Sequence, residues 1–150
     1  MMQRLLERIS VSRYKNNFIL KGGFLIAAMV GIDIRSTMDI DTTIKGISVN
    51  KEVIAGIVNE IIAIELEDNI SFRLIDVKSI HDSSNFDDFR ISIEAQFFSI
   101  RVKMKMDITT EDIIIPREVD FPYKIMFEDR NITIKAYNLN TILAEKLSRF

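Results

Sequence analysis

Two aspartates two residues apart, Asp39 and Asp41, have a spacing that metal chemistry can use. Met38 to Ile44 alternates, with Met38, Ile40, Thr42 and Ile44 on one side and Asp39, Asp41 and Thr43 on the other, which predicts a half-buried strand. Both carboxylates then leave the same face with Cα atoms ~7 Å apart and can converge on one ion. Two carboxylates on a rigid strand, with positions left for phosphate oxygens and water, suit Mg²⁺ or Mn²⁺. The pair alone is a weak motif, because 12 aspartates in 150 residues yield about one such pair by chance.

The segment ahead of the pair adds to it. Asn17 to Lys21 is a short, largely apolar run that stops at Gly22-Gly23, and an apolar stretch from Phe24 to Val30 follows, ending at Gly31. Strand, glycine turn and short buried helix fit this order. A Gly-Gly turn lets the backbone approach a ligand, and the helix start presents unpaired N–H groups, so the unit can cradle a triphosphate. On its own, such a turn is more commonly just a turn.

A third acid, Asp107, ends the most regular alternation in the chain. Ile100, Val102, Met104, Met106 and Ile108 face one way, and Arg101, Lys103, Lys105 and Asp107 the other. If this strand lies beside the first, three acids meet and can hold two ions ~3.5–4 Å apart, one activating a hydroxyl and one stabilising a leaving pyrophosphate. Such chemistry works by positioning and charge neutralisation and needs neither His nor Cys. Lys105 is ~7 Å along the strand from Asp107 and can meet a phosphate, whereas Arg101 is roughly 20 Å away. Arg101 and Lys103 fit a solvated strand face better than an RNA track. His81, the only histidine, borders a polar loop and receives no role.

The remaining elements must position these groups. Met2, Leu5, Leu6 and Ile9 predict an amphipathic N-terminal helix, and Asn50 can cap a helix from Lys51 to about Leu66, with Val53, Ile54, Ile57, Val58, Ile61 and Ile62 as its apolar stripe. Ser71 to Ile80 reads as a strand and Asp82 to Asp88 as a polar loop. From Phe89 to Phe97 the apolar residues fall on odd numbers and from Phe98 to Ile108 on even ones, so a turn or bulge belongs near Ala95 to Phe98. Ile113 to Pro122, with both prolines, reads as an irregular connection; Ile132 to Ala136 is a further strand, and a last helix runs from Asn138 or Asn140 to Phe150.

Composition bounds the function. A chain of 150 residues, 47% hydrophobic, can bury the core of one domain. With 20 basic against 22 acidic residues there is no general positive field for polyanions, so any nucleic acid must be held by a local patch. The lack of cysteine excludes disulfides and thiolate metal sites and suits the cytoplasm. Phe24 to Val30, the longest apolar stretch, is far short of the ~20 residues a membrane span needs, so no membrane partner is expected.

Leu20-Lys21-Gly22-Gly23, followed by Arg35-Ser36-Thr37-Met38-Asp39-Ile40-Asp41, resembles the AbiEii/AbiGii nucleotidyltransferase-like toxins of bacterial abortive-infection and toxin–antitoxin systems. Lys105-Met106-Asp107-Ile108 is similar to the family's Lys-x-Asp-Ile segment, and Leu143-Ala144-Glu145-Lys146-Leu147 to its helical motif. The resemblance implies an α+β, DNA polymerase β-type nucleotidyltransferase fold, with a mixed, mostly antiparallel sheet flanked by helices. It also implies one nucleotidyltransferase-like domain over residues 1–150, from which the family's C-terminal helical part is expected to be absent. Asp39 and Asp41 would be metal ligands, Asp107 the third acid or base, and Lys146 a contact to nucleotide phosphate. Gly22, Gly23 and Thr37 would frame the nucleotide beside Lys105. Gly23 stands where the wider superfamily usually has Ser, leaving the phosphate turn to backbone N–H groups.

The activity so implied is Mg²⁺-dependent transfer of a nucleoside monophosphate from an NTP to a tRNA acceptor, restrained by a cognate antitoxin protein. The alternative is a non-catalytic nucleotide- or antitoxin-binding module, because the family's Arg-x-x-Asp-x-x-Asp type segment does not occur by Phe150. An Asp-x-Asp glycosyltransferase fits less well, since it would explain neither the glycine unit nor the Lys-x-Asp segment.

Overall fold

A computed structural model describes residues 2–30, 38–80, 88–111, 118–124 and 131–138. The elements follow in the order α1 (Met2–Val11), β1 (Phe18–Lys21), α2 (Gly22–Met29), β2 (Asp39–Lys45), α3 (Lys51–Ile62), β3 (Ile70–Ile80), β4 (Asp88–Phe97), β5 (Ile100–Glu111), β6 (Val119–Lys124) and β7 (Asn131–Ala136). The strands form a single seven-stranded sheet in the order β3-β4-β5-β2-β1-β7-β6. Only β1 with β7 and β2 with β5 run parallel; the other neighbours are antiparallel. This is the mixed, mostly antiparallel α+β architecture expected from the sequence. Among the described residues no helix is long and apolar enough to cross a membrane.

Strand alternation sorts the sheet into two faces. Phe18, Leu20, Ile40, Ile44, Met104, Met106, Ile108, Ile91 and Ile93 are buried and join the apolar sides of α1 and α3 in one core. In α1 the expected residues Met2, Leu5, Leu6 and Ile9 are buried, and so is Arg8, which local periodicity would have left in water. The α3 helix is capped as expected, Asn50 Oδ1 accepting from the Val53 N–H at 2.8 Å. It ends at Ile62, short of Leu66, because the Ile64 carbonyl turns to accept from Arg8 Nε. Val53 falls outside the buried stripe and is exposed.

The phase change near residue 98 is a two-residue hairpin, with Phe97 opposite Ile100 and Phe98 in a left-handed conformation at φ 54°. Pro122 corrects the expected irregular connection, since it lies within β6. That strand is at the sheet edge, where a missing N–H can face outward. The polar loop before Asp88 and the last helix, with its Lys146 motif, lie outside the described residues apart from Asn138.

Candidate active site

The site is a consequence of register. β2 and β5 lie side by side and parallel near the middle of the sheet, pairing Asp39 with Lys105 and Asp41 with Asp107. Residues directly opposite share a face, so these four side chains form a two-by-two block on the face away from the main core. β4 continues the rows antiparallel, placing Arg90 opposite Asp107 and Ser92 opposite Lys105, and β1 sets Lys21 opposite Asp41. Asp39, Ile40, Asp41, Arg90, Lys105 and Asp107 line an open cavity of about 330 Å³. Asp39 and Lys105 are exposed, Asp41 and Asp107 half-buried.

Gly22 is bound to this block by shape. Its φ of 76° lies in the left-handed region, and a Cβ there would stand 3.0 Å from Asp41 Cβ, 3.1 Å from its Cγ, and closer still to Oδ2. Glycine is therefore needed on conformational and steric grounds at once. The helix α2 starts at Gly22, directly from the strand rather than after a separate turn, so the Asp41 carboxylate lies at the helix N-terminus. The partial positive charge there stabilises an anion, whether carboxylate or phosphate. Among the described residues, a Cβ at Gly23 would meet nothing within 4 Å.

Below the acid rows the polar side of β2 is sealed rather than open. Thr43 is fully buried, contrary to the half-buried pattern, because its hydroxyl is satisfied by Tyr137 Oη at 2.8 Å and Thr109 Oγ1 at 3.0 Å. Lys21 Nζ donates to Thr109 Oγ1 at 2.6 Å and lies 5.7 Å from the centroid of the Tyr137 ring. This network ties β1, β2 and β5 together next to the block.

Arg90 is the group that the sequence reading passed over. Its Nε donates to Asp107 Oδ1 at 2.9 Å and its Nη2 to Oδ2 at 3.3 Å, a forked pair with side chains 48% and 38% exposed. The hydrogen-bonded Asp107, and beyond it the charges of Asp39 and Asp41, push the guanidinium pKa above its ordinary value. A signal existed: counting back along both arms of the hairpin from Phe97 and Ile100 puts Arg90 across from Asp107.

Of the residues singled out from the sequence, Asp39, Asp41, Lys105 and Asp107 come together in one cavity, and Gly22 abuts Asp41 with Gly23 next to it. Thr37 and Lys146 lie outside the described residues. No group of three or more acidic, His or Cys side chains forms a ready metal shell among the described residues. Mg²⁺ does not require one, since it is commonly held by one or two carboxylates with waters and substrate phosphates. Asp39 and Asp41 supply such a donor set, and glycine at position 22 leaves free the room beside the Asp41 carboxylate that a Cβ there would take.

Comparison with known proteins adds family to this geometry. The family described as the nucleotidyl transferase AbiEii toxin of type IV toxin–antitoxin systems matches residues 4–150. Among solved structures, JHP933 from Helicobacter pylori is similar with a TM-score of 0.52 and 14% identity, over 97% of this chain and 53% of that one. A provisional nucleotidyltransferase from H. pylori gives a TM-score of 0.51 and 15% identity, over 97% and 54% of the two chains. At these identities the likeness is one of fold, and this chain spans about half the length of either structure. No curated protein matches it. With the family match running over nearly all of its residues, the chain belongs to the AbiEii nucleotidyltransferase toxin family.

Proposed function

We propose that this chain carries the catalytic site of a DNA polymerase β-type nucleotidyltransferase, which transfers a nucleoside monophosphate from an NTP to a hydroxyl of tRNA in the cytoplasm. The observation that carries the proposal is the block formed by Asp39, Asp41, Lys105 and Asp107 beside the side-chain-free start of α2. The family match and the fold of the H. pylori structures support it.

Asp39 and Asp41 would hold Mg²⁺, or Mn²⁺ in its place. When bound, the ion supplies neutralisation of the triphosphate charge and polarises its oxygens. The chain's own groups do the rest. The first N–H groups of α2 and the Lys105 ammonium orient the phosphates. Thr37, from its place in the sequence motif, frames the nucleotide, and Lys146 contacts its phosphate. Asp107 accepts the proton of the acceptor hydroxyl, whose oxygen forms a bond to the α-phosphorus. The bond from that phosphorus to the bridging oxygen breaks, and pyrophosphate leaves with the electron pair. A cognate antitoxin protein would restrain the reaction.

Asp39→Ala and Asp107→Ala are each expected to abolish transfer of label from α-labelled NTP to total tRNA, and toxicity with it. Labelling that survives undiminished in either variant rejects the assignment of that acid. A second reading, a nucleotide- or antitoxin-binding module without catalysis, is favoured by the Arg90 fork that engages both oxygens of Asp107. Calorimetric titration with GTP and Mg²⁺ alongside the transfer assay separates the two, since the module would bind without transferring.

A further inference from the structure

Across the open face of the sheet the register sets five charged residues in one row: Lys21, Asp41, Asp107, Arg90 and Lys78, on β1, β2, β5, β4 and β3. Two carboxylates stand together in the middle of it, with Asp39 in the adjoining row. Like charges so close need a counter-ion, and Arg90 supplies one by gripping both oxygens of Asp107. The remaining N–H groups of Arg90 make no hydrogen bond to the described residues, and its head lines the cavity. A half-exposed pair of this kind holds only weakly against solvent, so it can be exchanged. A divalent cation at Asp39 and Asp41 would repel the guanidinium, whereas the phosphates arriving with nucleotide would attract it.

Resting on the nucleotidyltransferase reading above, we propose that Arg90 exchanges partners. It neutralises Asp107 while the site lacks nucleotide, and it moves to a phosphate of the incoming triphosphate once a divalent cation engages the acids, freeing Asp107 for the acceptor proton. Arg90 thereby couples triphosphate binding to exposure of the base. A planar fork matches phosphate oxygens as well as it matches a carboxylate, which lysine cannot do.

The exchange has a signature that a merely structural arginine lacks, because removing the charge moves two affinities in opposite directions. Isothermal titration calorimetry of the chain with Mn²⁺ alone, then with inorganic triphosphate in saturating Mn²⁺, reads both. Arg90→Gln is expected to bind Mn²⁺ roughly two- to fivefold more tightly, the scale of a lost half-exposed ion pair. The same variant should bind triphosphate about ten- to a hundredfold more weakly, the scale of hydrogen bonds to a charged group. Arg90→Lys keeps the charge without the fork and should leave Mn²⁺ affinity near wild type while weakening triphosphate by about threefold to tenfold. It carries the test should Arg90→Gln not fold. Wild-type binding of both probes with neither affinity changed in these variants, or both changed in the same direction, overturns the exchange alone. Failure of the wild-type chain to bind either probe overturns the exchange together with the function it rests on.

Discussion

Two arginine–aspartate forks, Arg8 with Asp68 and Arg90 with Asp107, use the same chemistry to opposite ends. The Arg8–Asp68 pair has side chains 2% and 4% exposed. All five N–H groups of Arg8 are engaged, by Asp68 and by the carbonyls of Arg4, Ile64 and Ile70, and its guanidinium lies 4.7 Å from the centroid of the Phe72 ring. It pins α1 to the connection between α3 and β3 and has nothing left to offer a ligand. Arg90 sits at the rim of a cavity, and its remaining N–H groups bond to none of the described residues. Burial and donor satisfaction, more than residue type, separate a clasp from a group able to meet substrate.

The largest effect that could break this contrast is on folding. Arg8→Ala leaves the Asp68 carboxylate buried without its partner and is expected to lower unfolding stability in urea by roughly 3–5 kcal/mol. Arg90→Gln should leave it nearly unchanged in the same experiment. Similar losses from both would show that the two pairs do the same work.

A smaller effect sharpens the contrast through pH. Burial opposes the charged form of Asp68, but hydrogen bonds from Arg8 and from the Ile70 N–H, with the charges of Arg8 and Arg4, outweigh it and hold the carboxyl below its ordinary value. A group with a depressed folded pKa contributes stability above its unfolded value, ~3.9 for Asp, and loses it as pH falls through the folded value. Stability measured by denaturant titration should therefore drop below about pH 4 in the wild type. Arg8→Met should flatten that slope. An equal slope in both would mean that the clasp does not set the Asp68 titration.

What could be read from the sequence follows the range of the interactions. Period-two alternation placed Asp39, Asp41 and Asp107 on polar strand faces, and the change of phase at Phe98 located the hairpin, because both depend on neighbours a few residues apart. Arg8 gave no such sign: its place in α1 looks solvent-facing, and its burial depends on a carboxylate sixty residues away. The early end of α3 has the same cause. Thr43 is sealed by Tyr137 and Thr109, and Pro122 is tolerated because β6 is an edge, which only the strand order reveals. Arg90 was within reach of simple counting along the hairpin, yet its meaning appears only when β5 is laid against β2.

The two regions also give the most direct test of where a divalent cation binds. Titrating Mn²⁺ into isotope-labelled protein and recording amide spectra should broaden Gly22, Asp39, Asp41, Lys105 and Asp107 first through paramagnetic relaxation, while signals around Arg8 and Asp68 stay sharp. Broadening that begins elsewhere, or that persists unchanged in the Asp39→Ala variant, would contradict a metal site on this face of the sheet.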